Sequence, residues 1–133
     1  MASRQEQQGT ELVASGPGDE IVSVADVARL RAELGAAVLR DLIDSALTDM
    51  GEALERLDAM IAAVDAAGAR ILAHGLAGLA ASYALPALAE ALRTAAEAAR
   101  LGDMAATVSG AAAARRLYDV SAPALRRALG AVP

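Results

Sequence analysis

Between residues 36 and 65 apolar side chains return every three or four positions: Leu39, Leu42 with Ile43, Leu47, Met50, Leu54, Leu57, Ile61 and Val64. That repeat follows the 3.6-residue turn, so the spacing predicts one amphipathic helix over 36–65. The opposite face carries Asp41, Asp44, Asp49, Glu52, Glu55 and Asp58. Such a stripe reads as a solvated surface ahead of a metal site or a catalytic carboxylate pair. Gly51, inside the helix, is about 1 kcal/mol worse than Ala there and marks a candidate bend.

A helix of this kind needs others to cover its apolar stripe, and composition supplies them. Of 133 residues 56% are hydrophobic and 37 are alanine, with no Phe, Trp or Cys. Those proportions favour helices packed through small side chains around one modest core. Ser23 with Asp26 resembles a capping box opening a short helix that carries Val24, Val27, Leu30 and Leu34, and Gly35 ends it. After the long helix, Asp65-Ala66-Ala67-Gly68 breaks the pattern. A further helix follows through His74, with Leu72, Leu76, Leu79 and Tyr83 as its expected buried stripe. Leu85-Pro86 interrupts, and a helix over about 86–101 buries Leu88, Leu92, Ala95 and Ala99. Gly102-Asp103 reads as a stop and an N-cap, and the last helix runs from about 104 to at least Tyr118. Pro123 either kinks it or begins a new turn. Short connections make neighbouring helices antiparallel. The expected fold is therefore all-α: an up-down antiparallel four-helix bundle with a short extra N-terminal helix, spanning 20–133. Residues 1–19 mix Gln, Ser, Gly and Pro without periodicity and read as a flexible lead.

Several function classes are excluded. Without Cys, the chain has no disulfides, thiolate metal sites or cysteine nucleophiles. One His, no Cys and no Glu-x-x-His pattern leave a metal or haem site without ligands, so no metal and no cofactor are expected. No combination of nucleophile, base and oxyanion donors assembles a hydrolase or transferase. A net charge of −5 argues against nucleic-acid binding. The absence of a long uncharged apolar run or a signal-like N-terminus argues against a membrane, and a cytoplasmic protein is expected. The charge is uneven: residues 19–65 carry eleven acids and four Arg, whereas residues 66–133 carry four acids and seven Arg. The single histidine lies in the cationic half.

On its helix, steps of three and four from His74 reach Arg70, Ala77, Gly78 and Ala81. These positions oppose the leucine stripe, so the imidazole is expected to face solvent in a clearing of small residues. A mid-helix glycine is unfavourable. Either something outside the chain must come close to Gly78, or Gly78 packs against a neighbouring helix and His74 is an ordinary surface residue.

The stretch AHGLAG, Ala73 to Gly78, resembles the motif of histidine-containing phosphotransfer (HPt) domains, whose usual form is A-H-x-L-K-G. Ala73, His74, Leu76 and Gly78 match in register. The likeness extends over Val22 to Leu129, through the long preceding helix, the L-xx-L spacing and the ARLGD turn at Ala99 to Asp103. The resemblance implies a phosphorelay carrier in which His74 accepts a phosphoryl group from a receiver-domain aspartate and passes it to another receiver. It implies receiver domains and a hybrid histidine kinase as partners, Mg²⁺ held only by the receiver, no catalytic machinery in the carrier, and a monomer or weak dimer. Arg70 is placed to meet the receiver's acidic pocket or the phosphoryl oxygens.

The chain departs from the family pattern at three positions. The lysine three residues after the histidine is Ala77, the polar residue 22 positions after it is Ala96, and the glycine ten residues after it is Ala84. Arg93 and Arg100, on one face of the next helix with Glu97, are candidates to supply the missing charge. These departures leave an alternative: a helical adaptor that docks a receiver or histidine kinase without carrying phosphate.

Overall fold

The structure, a computed structural model, describes residues 20–131. The lead expected over 1–19 lies outside the described residues. Those described are all-α, in five helices: α1 (Val24–Leu34), α2 (Ala36–Ala62), α3 (Ala66–Ser82), α4 (Pro86–Arg100) and α5 (Met104–Ala131).

The ends are set by local chemistry. The Ser23 hydroxyl accepts from the Asp26 amide at 3.3 Å and opens α1. Gly35, at φ 85, ends it and leads directly into α2. The break after α2 ends at Asp65, which is also the N-cap of α3, its Oδ1 accepting from the Gly68 amide at 2.9 Å, so residues 66–68 already belong to the helix. A Cβ at Gly68 would collide with that same carboxylate, so the glycine keeps the cap intact. Pro86 occupies the first turn of α4, where its missing N–H is no loss. Gly102, at φ 76, precedes Asp103, which caps α5 by accepting from the Ala106 amide at 3.0 Å.

Each long helix packs on two others: α2 on α3 and α5, α4 on α3 and α5, with the α3–α4 seam the most extensive. The short α1 lies against α2 and α5. Its approach is tied to the α3–α4 turn, since the Ser23 amide donates to the Ala84 carbonyl and the Ala87 amide to the Glu20 carbonyl, both at 2.9 Å. Leu39, Ile43, Leu47, Met50, Leu57, Leu85, Leu88, Leu92 and Leu125 form the fully buried large side chains of the core. Alanines fill the space between them. A Cβ on Gly110 would stand 3.0 Å from both Cα and Cβ of Ala95, so α4 and α5 meet closely enough to require a glycine.

Four details emerge from the structure. Val64 does not continue the α2 stripe; it lies in the turn before α3 at φ 56 and is 70% exposed, because the chain must reverse there to present Asp65 as a cap. Gly51 marks no interruption of α2. A Cβ there would fall 2.9 Å from the Tyr118 hydroxyl, which donates to the Leu47 carbonyl at 2.5 Å, so the glycine makes room for a ring from α5. Val24 and Leu34 of α1 are 58% and 40% exposed, and among that helix's residues only Val27 is buried. Finally, α5 runs without a break through Pro123. That proline and Asp119, whose carbonyl loses its helical donor, are both exposed, so water can take the place of the missing N–H.

Candidate functional site

Helix α3 is held at its start by the Asp65 cap and is pressed between two neighbours, which together decide which way His74 points. Ala69, Ala73, Leu76, Ala77 and Ala80 are buried, while Leu72, Leu79 and Tyr83 are only half-buried and Ile71 is 63% exposed. The expected leucine stripe is therefore half of the answer. The leucines border a groove against α2, and the buried face also includes alanines. Close helix approach rewards small side chains and not large ones. One site expectation fails as a result: Ala77 does not face a partner, for it is 2% exposed. His74, Arg70, Gly78 and Ala81 are exposed.

The imidazole of His74 stands at a shallow depression of about 130 Å³ between α3 and α4, lined by Arg70, His74, Arg93, Ala96, Glu97 and Arg100. The three arginines singled out in the sequence thus converge with the histidine. They are not equivalent. Arg100 is gripped by Glu97 through two contacts, Nε to Oε1 at 2.9 Å and Nη2 to Oε2 at 2.6 Å. Hydrogen bonding to that guanidinium holds the Glu97 carboxyl below its ordinary range and raises Arg100 in turn. Arg93 pairs with Glu90 at 3.2 Å. Arg70 has neither an ion pair nor a side-chain hydrogen bond among the described residues.

The ground beside the imidazole is open. A Cβ on Gly78 would meet nothing within 4 Å, and the same holds at Gly75. The reading in which Gly78 packs against a neighbouring helix is therefore overturned: no contact among the described residues explains either glycine. Gly75 was not singled out from the sequence, although its place next to His74 was a signal. Also missed was a groove of about 280 Å³ on the other flank of α3, where Ile71, Leu72, Gly75, Leu76 and Leu79 face Asp49, Ala53 and Arg56 of α2. A larger groove of about 400 Å³, holding Ile61, Val108, Arg115 and Arg116, follows the α2–α5 seam and contains no imidazole.

Chemically, the arrangement offers an exposed nucleophilic nitrogen with cationic groups around it. No group of three or more His, Cys, Asp or Glu among the described residues could hold a metal ion. No described helix is long and apolar enough to cross a membrane. No protein-family model matches this chain, and neither a curated protein nor a solved structure is detectably similar to it.

Proposed function

We propose that the chain is a histidine phosphotransfer protein of a two-component phosphorelay, built as an up-down antiparallel four-helix bundle with α1 across one end. The observation that carries the reading is the exposed His74, set among Arg70, Arg93 and Arg100 and flanked by glycines that no contact among the described residues requires. A partner's active site must close over such a histidine, and a surface without side chains beside it lets that happen. Two further observations favour it. Ala84, where the family has glycine, is held at φ 66, a conformation that glycine adopts without strain. Pairings of Asp44 with Arg126, the Leu47 carbonyl with Tyr118 and Asp58 with Arg115 run in opposite chain directions, as antiparallel α2 and α5 require.

In the proposed step the unprotonated imidazole nitrogen of His74 attacks the phosphorus of an aspartyl phosphate on a receiver. The new N–P bond takes the imidazole lone pair, and the P–O bond breaks with its electron pair leaving on the aspartate carboxylate. The proton on the other ring nitrogen is then free to pass to water. Return to a second receiver reverses these bond changes. The receiver brings the Mg²⁺ and the acidic pocket; this chain brings the nucleophile and cationic surroundings, so it is a carrier and not an independent enzyme. Cationic groups around His74 also steer an acidic partner toward it.

Incubation with a phosphorylated receiver is expected to place acid-labile phosphate on His74, and His74→Gln to abolish it with helicity and melting unchanged, an exposed site contributing little to stability. Uptake by the variant would refute the assignment. Receiver binding without phosphate on the parent would favour the helical adaptor.

A further inference from the structure

The depression around His74 contains a carboxylate, and a site built only to hold phosphate has no use for one. Glu97 lies in the same hollow as the histidine. It occupies both hydrogen-bonding edges of its contact with Arg100, at 2.9 and 2.6 Å. Arg93 is turned to Glu90 at 3.2 Å. Of the three cations that converge on the imidazole, only Arg70 is left with no carboxylate partner among the described residues. The missing lysine therefore has no full substitute: two of the three candidate charges are partly neutralised before a phosphoryl group arrives. The buried Ala77 adds nothing polar.

We propose that Glu97 weakens this site's hold on the phosphoryl group, by engaging Arg100 and by presenting its own negative charge to the phosphoryl oxygens, so that Arg70 alone pairs with them and phosphohistidine stays a ready donor. This inference rests on His74 as the phosphoacceptor. A phosphoryl group on His74 carries charge near −2, so each full charge about 6 Å away changes its stability roughly tenfold in water without salt and about threefold at physiological ionic strength. Arg70, four residues before His74 on α3, faces the same hollow by helical geometry. Arg100 is reached from α4 and is free to turn to phosphate only when Glu97 releases it. The carboxylate thus acts as a positioning residue for Arg100 and as a repulsive charge in its own right. For a protein that must give its phosphate away, a shallow energy well speeds the second transfer.

The test uses the protein alone with phosphoramidate and ammonia. There the P–N bond of phosphoramidate breaks as the bond to His74 forms, ammonia carries off the leaving electron pair, and the mixture reaches equilibrium. The ratio of phosphorylated to free His74 is read by phosphorus NMR. Glu97→Gln is expected to raise the ratio about threefold at physiological salt and more at low salt, and Arg70→Gln to lower it by a similar factor. The gain from Glu97→Gln is expected to shrink when Arg100→Gln is added, a coupling that a double-mutant cycle isolates. Melting curves of the variants should overlay the parent, which a merely structural role would not produce. A ratio unchanged or lowered by Glu97→Gln would overturn the proposal, as would a salt-independent effect. A parent that takes phosphate from phosphoramidate but from no receiver would refute the relay function while the order of the variants still decided this inference. A His74 that takes phosphate from neither donor would overturn both.

Discussion

Gly78→Ala separates the stability of this protein from its proposed use. Gly78 lies mid-helix, one turn after His74, and a Cβ there meets nothing within 4 Å. The substitution therefore adds no clash and gains the full helix-propensity difference, about 0.8–1 kcal/mol. For a folded unit of this size that raises the melting temperature by about 4 °C. The Ser82 hydroxyl, which donates to the Gly78 carbonyl at 2.9 Å, is bonded to backbone and keeps its partner. The new methyl nevertheless stands where a receiver must come close enough to form a bond to His74. Overpacking a contact of this kind costs about 1–3 kcal/mol, which corresponds to transfer from a phosphorylated receiver slowed by about 5- to 160-fold. A small donor such as phosphoramidate is not obstructed and should react at nearly the parent rate. Chemical denaturation gives the first quantity and rapid-quench transfer kinetics the second. A variant that is stabilised yet transfers from the receiver as fast as the parent would show that no partner closes over this turn. A destabilised variant would show that the ground above Gly78 is already covered, for example by a second copy, and sedimentation would reveal it.

Three further outcomes follow from the packing. Ala77→Lys, the substitution that restores the family's lysine, is expected to destabilise the fold by about 1–3 kcal/mol, because the site is 2% exposed. An unchanged melting temperature would mean that the side chain reaches water along the α3–α4 seam. Gly110→Ala should lose about 1–2 kcal/mol net in spite of its propensity gain, since Ala95 Cα stands 3.0 Å from the new methyl and backbone cannot yield cheaply; a stabilised variant would refute that close approach. Tyr118→Phe removes the bond to the Leu47 carbonyl and should cost about 1 kcal/mol in urea denaturation. Burial raises the Tyr118 phenol above its ordinary value of 10.0, so the unfolded chain releases this proton first. The parent then keeps the phenol's contribution below about pH 10 and loses it as pH climbs through the folded value, and Tyr118→Phe should lack that alkaline limb.

Much of the chain's organisation was legible because it is decided within a few residues. Ser23, Asp65 and Asp103 each accept from an amide three residues on, Gly35 and Gly102 adopt positive φ, and Pro86 starts a helix. Asp65 both closes the break after α2 and caps α3, since a cap and a turn use the same residue types. The exposure of His74 beside Arg70 followed from one turn of helix. The face that α3 buries did not. Its leucines gave a clear periodic signal, but the alanines Ala69, Ala73, Ala77 and Ala80, all at most 2% exposed, gave little. A methyl group differs too slightly between water and core to fix a helix's rotation.

By itself the sequence determined that this protein is helical, where most of its helices begin and end, and that a single imidazole sits among small residues in a cationic half. Those features depend on backbone hydrogen bonding, capping and composition, which act along the chain. The packing of α3 between α2 and α4 decided the rest. It buried Ala77, brought Arg93 and Arg100 of α4 across to His74, and set Glu97 against Arg100. It also gave four glycines opposite meanings: Gly51 and Gly110 admit a neighbour, while Gly75 and Gly78 admit none among the described residues. A glycine carries the same local preference in every helix, so only the distance to what lies opposite, a property of the assembled helices, could tell close contact from open ground.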